Sequence, residues 1–402
     1  MRVLLIGNYP HDRQESMTRF AAMMLRGLQD CRVEAELIAP EPFFGRLRKS
    51  GQGLGKWLGY LDKFVLFPLQ LRHRLASLDS KRNHQLIVHI CDHSNSMYVE
   101  HAGHRPTVVT CHDMGAVRGA LGEETECPAS RMGKVLQRWI ARGLGRADTV
   151  ACVSEATRQD VERIVRSPAG TVPKTRTILL GQNTSYGRVD AETANNRLEA
   201  VLGLQRETRF LLNVGSSLPR KNRDGVLRIF ARVKDSWDGM LIFAGQPLPA
   251  SLIGLARKLG VLERVIEVVK PDNNVLEALY NRAFALLFPS KFEGFGWPVI
   301  EAQACGCPVL CSDATSLAEV ADHSAFVRSW EAEKDFANEI LRLDCDQAAR
   351  DQWKRLGFLN LERFQTDRMI REYLQLYREI VCACNNDRAH AIYLNATHRR
   401  RY

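Results

Sequence analysis

The 402-residue sequence has no apolar run near the roughly 18 residues that a membrane-spanning helix needs. Its first apolar stretch, Val3 to Ile6, is ended by Gly7 and Pro10. That is too short for a secretory leader and reads as a first β-strand. The 11 cysteines are odd in number and form no paired framework. Cys305 and Cys307, like Cys382 and Cys384, are one residue apart, which is poor zinc spacing, and Cys111, Cys152 and Cys311 sit in strand-like runs. This usage points to a reducing cytoplasm. No G-x-x-x-x-G-K-[ST] loop is present, and no G-x-G-x-x-G follows the first strand, which argues against a P-loop enzyme and against an NAD-dependent dehydrogenase. There is no fixed-period repeat and no low-complexity tract.

What is present is ordinary folded composition, 45% apolar and 25% charged, with a net charge of +10. The length exceeds what one hydrophobic core holds and suits two domains. The positive balance implies acidic partners, whether nucleic acid, anionic lipid or phosphorylated small molecules. Strand and helix patterns alternate from the N-terminus: "RVLLIG", then helix "ESMTRFAAMMLRGLQ", then strands "VEAELIAP", "HQLIVHIC", "TVVTCHD" and "TVACVS" with helices between and after them. A polar stretch over 181–198 reads as a linker. The alternation restarts at "RFLLNVGS" and runs to "PVLCS", and helices close the chain. Alternation of this kind gives α/β domains with parallel sheets, here two doubly wound domains facing across a cleft, with ligands at the carboxyl ends of strands. The expected division is an N-terminal domain over 1–190, a C-terminal domain over 200–366, a helix over 367–385 packing back on the first domain, and a basic tail over 386–402.

Two stretches after strands carry chemistry. In "RFLLNVGSSLPRKN", Gly215 and Ser216 end a strand, and Arg220 and Lys221 follow before a helix. Cations beside a small-residue turn and a helix start suit a diphosphate; they equally suit a solvated loop. In "FALLFPSKFEGFGWPVIEAQACG", Glu293 lies in a strand's exit loop with Gly294, Phe295 and Gly296, the two glycines being free to adopt positive φ. Pro298 fits a helix start, and Glu301 falls in that helix's first turn with no basic residue three or four positions away. A first-turn acid is a common surface feature, but apolar surroundings argue for a buried carboxylate in need of a partner, which the two hydroxyls of a ribose would supply. Glu293 is expected to face the cleft. The pair His89 and His93 in "HICDHSN" suits a metal site or, better, core or cleft histidines. Phe43 to Leu75 combines Arg46, Arg48, Lys49, Lys56, Lys63, Arg72 and Arg74 with six aromatics. That mixture suits an anionic membrane surface, or an amphipathic helix packed on its own domain.

At Glu293 to Glu301 the sequence resembles the retaining GT-B glycosyltransferases, in particular glycosyltransferase family 4 (group 1), through an E-x7-E element flanked by "FPS" and "EAQACGCPV". "NVGSSLPRKN" resembles that family's phosphate loop, and "TVVTCHDM" its His-Asp element. The resemblance implies a GT-B fold and a nucleotide-diphosphate sugar donor, with Glu301 on the ribose, Glu293 on the sugar, Arg220 and Lys221 on the diphosphate, and His112 near the transferred sugar. Gly215, Ser216, Gly294, Phe295 and Gly296 would line the donor site. Backbone after Gly7 would approach the phosphates, although the first loop, "GNYPHDRQESMT", lacks the glycine pair of many relatives. It implies no metal and no other cofactor, and a glycan or lipid-linked acceptor in cell-surface polysaccharide or glycoconjugate synthesis rather than nucleic acid. The expected location is cytoplasmic, peripheral at the inner face of the membrane through 43–75. Same-fold alternatives are a sugar-nucleotide epimerase, a phosphorylase, or a nucleotide-sugar-binding protein without turnover.

Overall fold

The computed structural model describes residues 1–47, 54–79 and 85–399, with only the backbone described at 47, 54–56 and 384–399. The chain divides into two units, Met1–Asn183 with Thr366–Tyr402, and Thr184–Gln365.

The first unit carries strands β1 (Arg2–Ile6), β2 (Glu34–Ile38), β3 (Leu86–Ile90), β4 (Thr107–Cys111), β5 (Thr149–Cys152) and β6 (Thr175–Thr177). They form one parallel sheet in the order β2-β1-β3-β4-β5-β6. Its helices are α1 (Glu15–Asp30), α2 (Leu54–Leu61), α3 (Phe67–Asp79), α4 (Gly115–Leu121), α5 (Arg131–Arg146) and α6 (Glu155–Ile164). The central strands are apolar at nearly every position because helices cover both faces: β3 and β4 are buried throughout. Ser130 and Ser154 start α5 and α6 by accepting amide hydrogens from Gly133 and Thr157.

The second unit repeats the scheme with β7 (Phe210–Gly215), β8 (Met240–Gly245), β9 (Val265–Val269), β10 (Ala285–Phe288), β11 (Val309–Ser312) and β12 (Phe326–Arg328), ordered β12-β11-β10-β7-β8-β9 and all parallel. Its helices are α7 (Ala191–Leu202), α8 (Arg223–Val233), α9 (Ala250–Lys258), α10 (Asn273–Arg282), α11 (Trp297–Ala304), α12 (Leu317–Ala321), α13 (Glu333–Cys345) and α14 (Gln347–Asn360). The last helix, α15 (Thr366–Arg399), returns to the first unit. Each unit has its own apolar cluster, one around Ile6, Val88, Val109 and Val150, the other around Leu211, Phe230, Phe243 and Leu287.

Several expectations change. The stretch read as linker, 181–198, runs into α7: Asp190 caps it by accepting the Thr193 amide hydrogen, and Gly203 ends it at φ 62°. Polar composition hid a helix that has only two buried positions, Ala194 and Leu198. Residues 386–399, expected as a tail, continue α15, and residues 400–402 lie outside the described residues.

In the basic-aromatic stretch, α2 and α3 are joined by a π-helical turn, Asp62–Leu66. Buried Asp62 anchors it, accepting hydrogens from the Tyr9 hydroxyl and from the amides of Phe44 and Gly45 at 2.8–2.9 Å. Phe67 packs inward on Tyr98, and Phe64 on Trp139 of α5. Lys63 pairs with Asp12 and Arg74 with Glu36, so part of this cluster serves the unit's own packing. Trp57, Leu61, Val65 and Leu69, four residues apart, are nevertheless 58, 44, 50 and 60% exposed. Arg48 and Lys49 lie outside the described residues. Among the described residues no helix is long and apolar enough to cross a membrane.

Candidate functional site

In a doubly wound sheet the ligand crevice opens where neighbouring strands lead off in opposite directions. In the second unit that point lies between β7 and β10. The loops leaving these two strands carry most of the residues singled out by sequence. Gly215 ends β7 at φ 146°, beside the Lys221 side chain. Ser216, half-buried, follows it. A short turn, Pro219–Lys221, then carries both cations.

The exit loop of β10 meets that turn. The Lys291 amide donates to the Arg220 carbonyl at 2.8 Å, and Asn222 Nδ2 donates to the Pro289 carbonyl at 2.8 Å. Buried Glu293 receives both cations: Lys221 Nζ lies 2.6 Å from Oε1, and Arg220 Nη1 lies 3.1 Å from Oε2. Burial works against ionising Glu293, but the Lys221 and Arg220 charges outweigh it and hold the carboxyl below its ordinary value. Burial likewise pulls Lys221 below its usual range, opposed by Glu293 and helped by Arg220. The sequence reading had Glu293 facing a sugar and the cations facing phosphate. Here the three side chains form one cluster, in which the carboxylate holds the cations in place.

Thr315 and Ser316 fix the backbone of this loop. Thr315 Oγ1 accepts the Glu293 amide hydrogen at 3.0 Å, and Ser316 Oγ donates to the Phe295 carbonyl at 2.9 Å. Of the two glycines, only Gly296 adopts a positive φ, 105°, and a Cβ there would meet Leu317 at 2.5 Å. The Phe295 ring is buried against Phe364, so any ligand contact from this residue is through its backbone.

Helix α11 begins at Trp297, one residue before the expected proline start, so Glu301 stands in its second turn rather than its first. It is 8% exposed and has a partner within the protein: the Tyr280 hydroxyl of α10 donates to Oε2 at 2.9 Å. The inference of a buried carboxylate in need of a donor holds, and one donor is a phenol that sequence reasoning missed. In "ALYNRA" Tyr280 reads as an ordinary apolar helix position. Arg223 was also missed, although it follows two cations in "PRKNR". Nearly buried, it donates to the Gly215 carbonyl at 2.7 Å, the Gln246 carbonyl at 2.7 Å and Ser217 Oγ at 2.9 Å, and so ties the β7 and β8 exits together.

The first unit holds the remaining candidates at its own strand ends, around the reversal between β1 and β3. The Gly7 amide donates to the Ile38 carbonyl at 2.8 Å, continuing the β1–β2 ladder, so this N–H is committed to the sheet and unavailable to a phosphate. Next to it, Asn8 Nδ2 donates to Asp92 Oδ2 at 2.5 Å. Asp92 also accepts from Ser94 and pairs with His93 at 3.2 Å. Buried His112, after β4, donates from Nε2 to the Cys91 carbonyl at 2.9 Å and meets the Phe20 ring edge-on. Burial keeps its imidazole below the usual value, Asp92 opposing. With Nε2–H donating, Nδ1 carries the lone pair.

His89 is a core residue rather than a ligand. Its Nδ1 lies 2.6 Å from the Tyr377 hydroxyl, and Nε2 lies 2.8 Å from Thr110 Oγ1. Among the described residues no cluster of three or more His, Cys, Asp or Glu could hold a metal ion. The sequence does contain one Asp-x-Asp pair, but Asp344 binds Arg209 and Asp346 caps α14 through the Ala349 amide, so both are structural.

Two cations held by a carboxylate at a sheet's switch point, with a second buried carboxylate in the helix that follows, suit a phosphate ester of a polyhydroxylated ligand. Comparison with known proteins agrees. Residues 195–358 match the family described as "Glycosyl transferases group 1", and residues 17–174 match "Glycosyltransferase Family 4". The chain is 25% identical over 292 residues to the O-antigen chain mannosyltransferase B of Escherichia coli, covering 71% of this chain and 73% of that one. Other curated relatives match over 42 to 63% of their own length. The sucrose-phosphate synthase structure from Thermosynechococcus elongatus superposes with a TM-score of 0.70 at 19% identity, covering 95% of this chain and all of that one. Anabaena Alr3699/HepE, solved in complex with UDP and glucose, superposes with a TM-score of 0.68 at 14% identity, covering 94% and 99%. The chain belongs to the group 1 glycosyltransferases of family 4 and carries their GT-B fold.

Proposed function

We propose that this glycosyltransferase moves a hexose from a nucleoside-diphosphate sugar to a glycan or lipid-linked acceptor, with retention of anomeric configuration and without a metal or other cofactor. The observation that carries this reading is the cluster of Arg220, Lys221 and Glu293 at the β7–β10 switch point. As the anomeric C–O bond breaks, the electron pair leaves with the diphosphate, and two fixed cations offset that charge. The leaving phosphate oxygen takes the acceptor hydroxyl's proton as the new glycosidic bond forms on the same face. Glu293 contacts donor-sugar hydroxyls, Glu301 holds the ribose, and His112 lies beside the transferred sugar. Gly215, Ser216, Gly294 and Gly296 line the donor through their backbone, and Phe295 through its carbonyl and amide.

A role in cell-surface polysaccharide or glycoconjugate synthesis is supported by the O-antigen relative, and a UDP-sugar donor by the complex of the structural neighbour. The epimerase, phosphorylase and scaffold alternatives gain no observation. We further propose a cytoplasmic enzyme that docks peripherally on an anionic membrane. The exposed Trp57, Leu61, Val65 and Leu69 stripe supports this, as does neighbouring α5, where Arg131, Lys134, Arg138 and Arg142 are exposed beside Met132 and Val135.

A thermal-shift panel of UDP-, GDP-, ADP- and CMP-sugars tests the donor. A ligand at about 100 times its Kd stabilises by roughly 2.7 kcal/mol. Glu301→Ala abolishes the shift, whereas Glu293→Ala chiefly reduces turnover. A panel in which no nucleotide sugar moves the melt overturns the donor assignment.

A further inference from the structure

We infer that Tyr280 is a positioning residue for ribose recognition, setting the carboxylate of Glu301 so that the site discriminates ribonucleotides from deoxyribonucleotides. The inference rests on the donor reading above and goes beyond it by naming the residue that makes the carboxylate selective.

The geometry is specific. Tyr280 sits on α10, and Glu301 on α11, the two helices flanking β10 in sequence. The phenol is fully buried and reaches no bulk water. Its hydroxyl points at Oε2 of Glu301, 2.9 Å away. An ionised carboxylate only accepts hydrogen bonds, so Tyr280 must donate. Burial, with Glu301 adding to it, drives the phenol well above its ordinary range, so it keeps that proton at any working pH.

Glutamate has three rotatable bonds and no basic neighbour three or four residues away on α11. A donor fixed in the core narrows the rotamers of that carboxylate before a ribose diol binds, which lowers the ordering cost of binding. The phenol does that ordering in advance. The support is itself held: the Tyr280 ring lies 6.0 Å from the Tyr186 ring, and Tyr186 is tied to α10 through a 3.2 Å bond from its hydroxyl to Asn273. Any space-filling aromatic would serve a core position here; only a donor serves the carboxylate.

The test compares UDP with 2′-deoxy-UDP, and GDP with 2′-deoxy-GDP, on the full-length protein by calorimetric titration. A hydrogen bond to a charged acceptor corresponds to roughly a tenfold to hundredfold preference for the ribose form in the wild type. Tyr280→Phe keeps the ring and removes the hydroxyl. It is expected to weaken the ribonucleotide while sparing the deoxy form, bringing the ratio to within about threefold of unity. Equal weakening of both, with the ratio kept, overturns the inference and leaves Tyr280 as packing.

Wild-type binding with no ribose preference removes the ribose role of Glu301 and this inference with it, but leaves the nucleotide site standing. Absence of any nucleotide binding instead overturns the donor reading itself. Should Tyr280→Phe fail to fold, Tyr280→Met, which also fills the core without a hydroxyl donor, takes its place with the same readout. A full ribose preference in that variant overturns the inference, and a collapsed one supports it.

Discussion

At the scale of single residues, the site is organised by a small number of buried charges. Glu293, held below its ordinary value by Lys221 and Arg220, contributes stability that is fully present above the unfolded glutamate value and is lost as pH falls through its folded one. Glu293→Gln removes that contribution and takes away the carboxylate that the two crowded cations share. We expect a loss of about 3 kcal/mol at neutral pH by chemical denaturation, and a flatter acid limb than wild type. His89 works over a higher window. Burial lowers it to about 3, so between the ordinary histidine value and about 3 the unfolded chain binds a proton that the folded chain refuses. Stability should therefore fall by roughly 1 kcal/mol per pH unit as pH drops through that window. His89→Gln should remove this slope in urea unfolding followed at a series of pH values.

The residue scale also shows where sequence reading reached its limit. The Arg220, Lys221, Glu293 and Glu301 set was legible because it follows strands of a doubly wound pattern, where ligands bind, and because it matches the E-x7-E and phosphate-loop elements of a known family. Tyr280, Arg223, Thr315 and Ser316 were not. Tyr280 donates to Glu301, Thr315 and Ser316 hold the Glu293 loop, and Arg223 ties the β7 and β8 exits; nothing in a local pattern distinguishes a tyrosine that donates to a carboxylate from one that fills a core. The mutual pairing of Glu293 with both cations was equally hidden, since about 70 residues separate the partners.

Elements were legible where apolar periodicity was strong. The central strands and helix α1 stand where the pattern put them. Most misses were short or polar: β6 and β12 have three residues each, and α7 buries two. Helix α13 buries Phe336, Ala337, Ile340 and Leu343 at helical spacing and could have been read. Close approaches set the joints between elements. At the end of β8, Gly245 adopts φ 127°, and a Cβ there would fall 2.2 Å from the Gly215 carbonyl. Gly245→Ala should cost at least about 2 kcal/mol and weaken nucleotide binding through the displaced β7 exit, read together in one melting series with and without UDP. Gly27 of α1 lets α15 lie against it, since a Cβ would meet Ile370 at 2.5 Å. Gly27→Ala should destabilise the first unit by about 1–3 kcal/mol without changing nucleotide affinity.

At the scale of the whole molecule, two apolar clusters imply two cooperative transitions. Differential scanning calorimetry should resolve them, and a bound nucleoside diphosphate should raise the one belonging to Thr184–Gln365. A single transition raised as a whole would mean that the units melt together.

The return of α15 has a further consequence, for the order in which the chain is made. Tyr373 and Tyr377 close over His89 and Thr110 from a position more than 250 residues downstream. A ribosome therefore releases the first unit's sheet long before its covering helix exists, whereas the second unit, completed at Gln365, lacks none of its own residues by then. Domains generally fold as units during synthesis, the N-terminal one first. Here the part translated first is finished last. Its apolar face stays open while about 180 further residues are added, a period of roughly ten to forty seconds at bacterial or eukaryotic elongation rates.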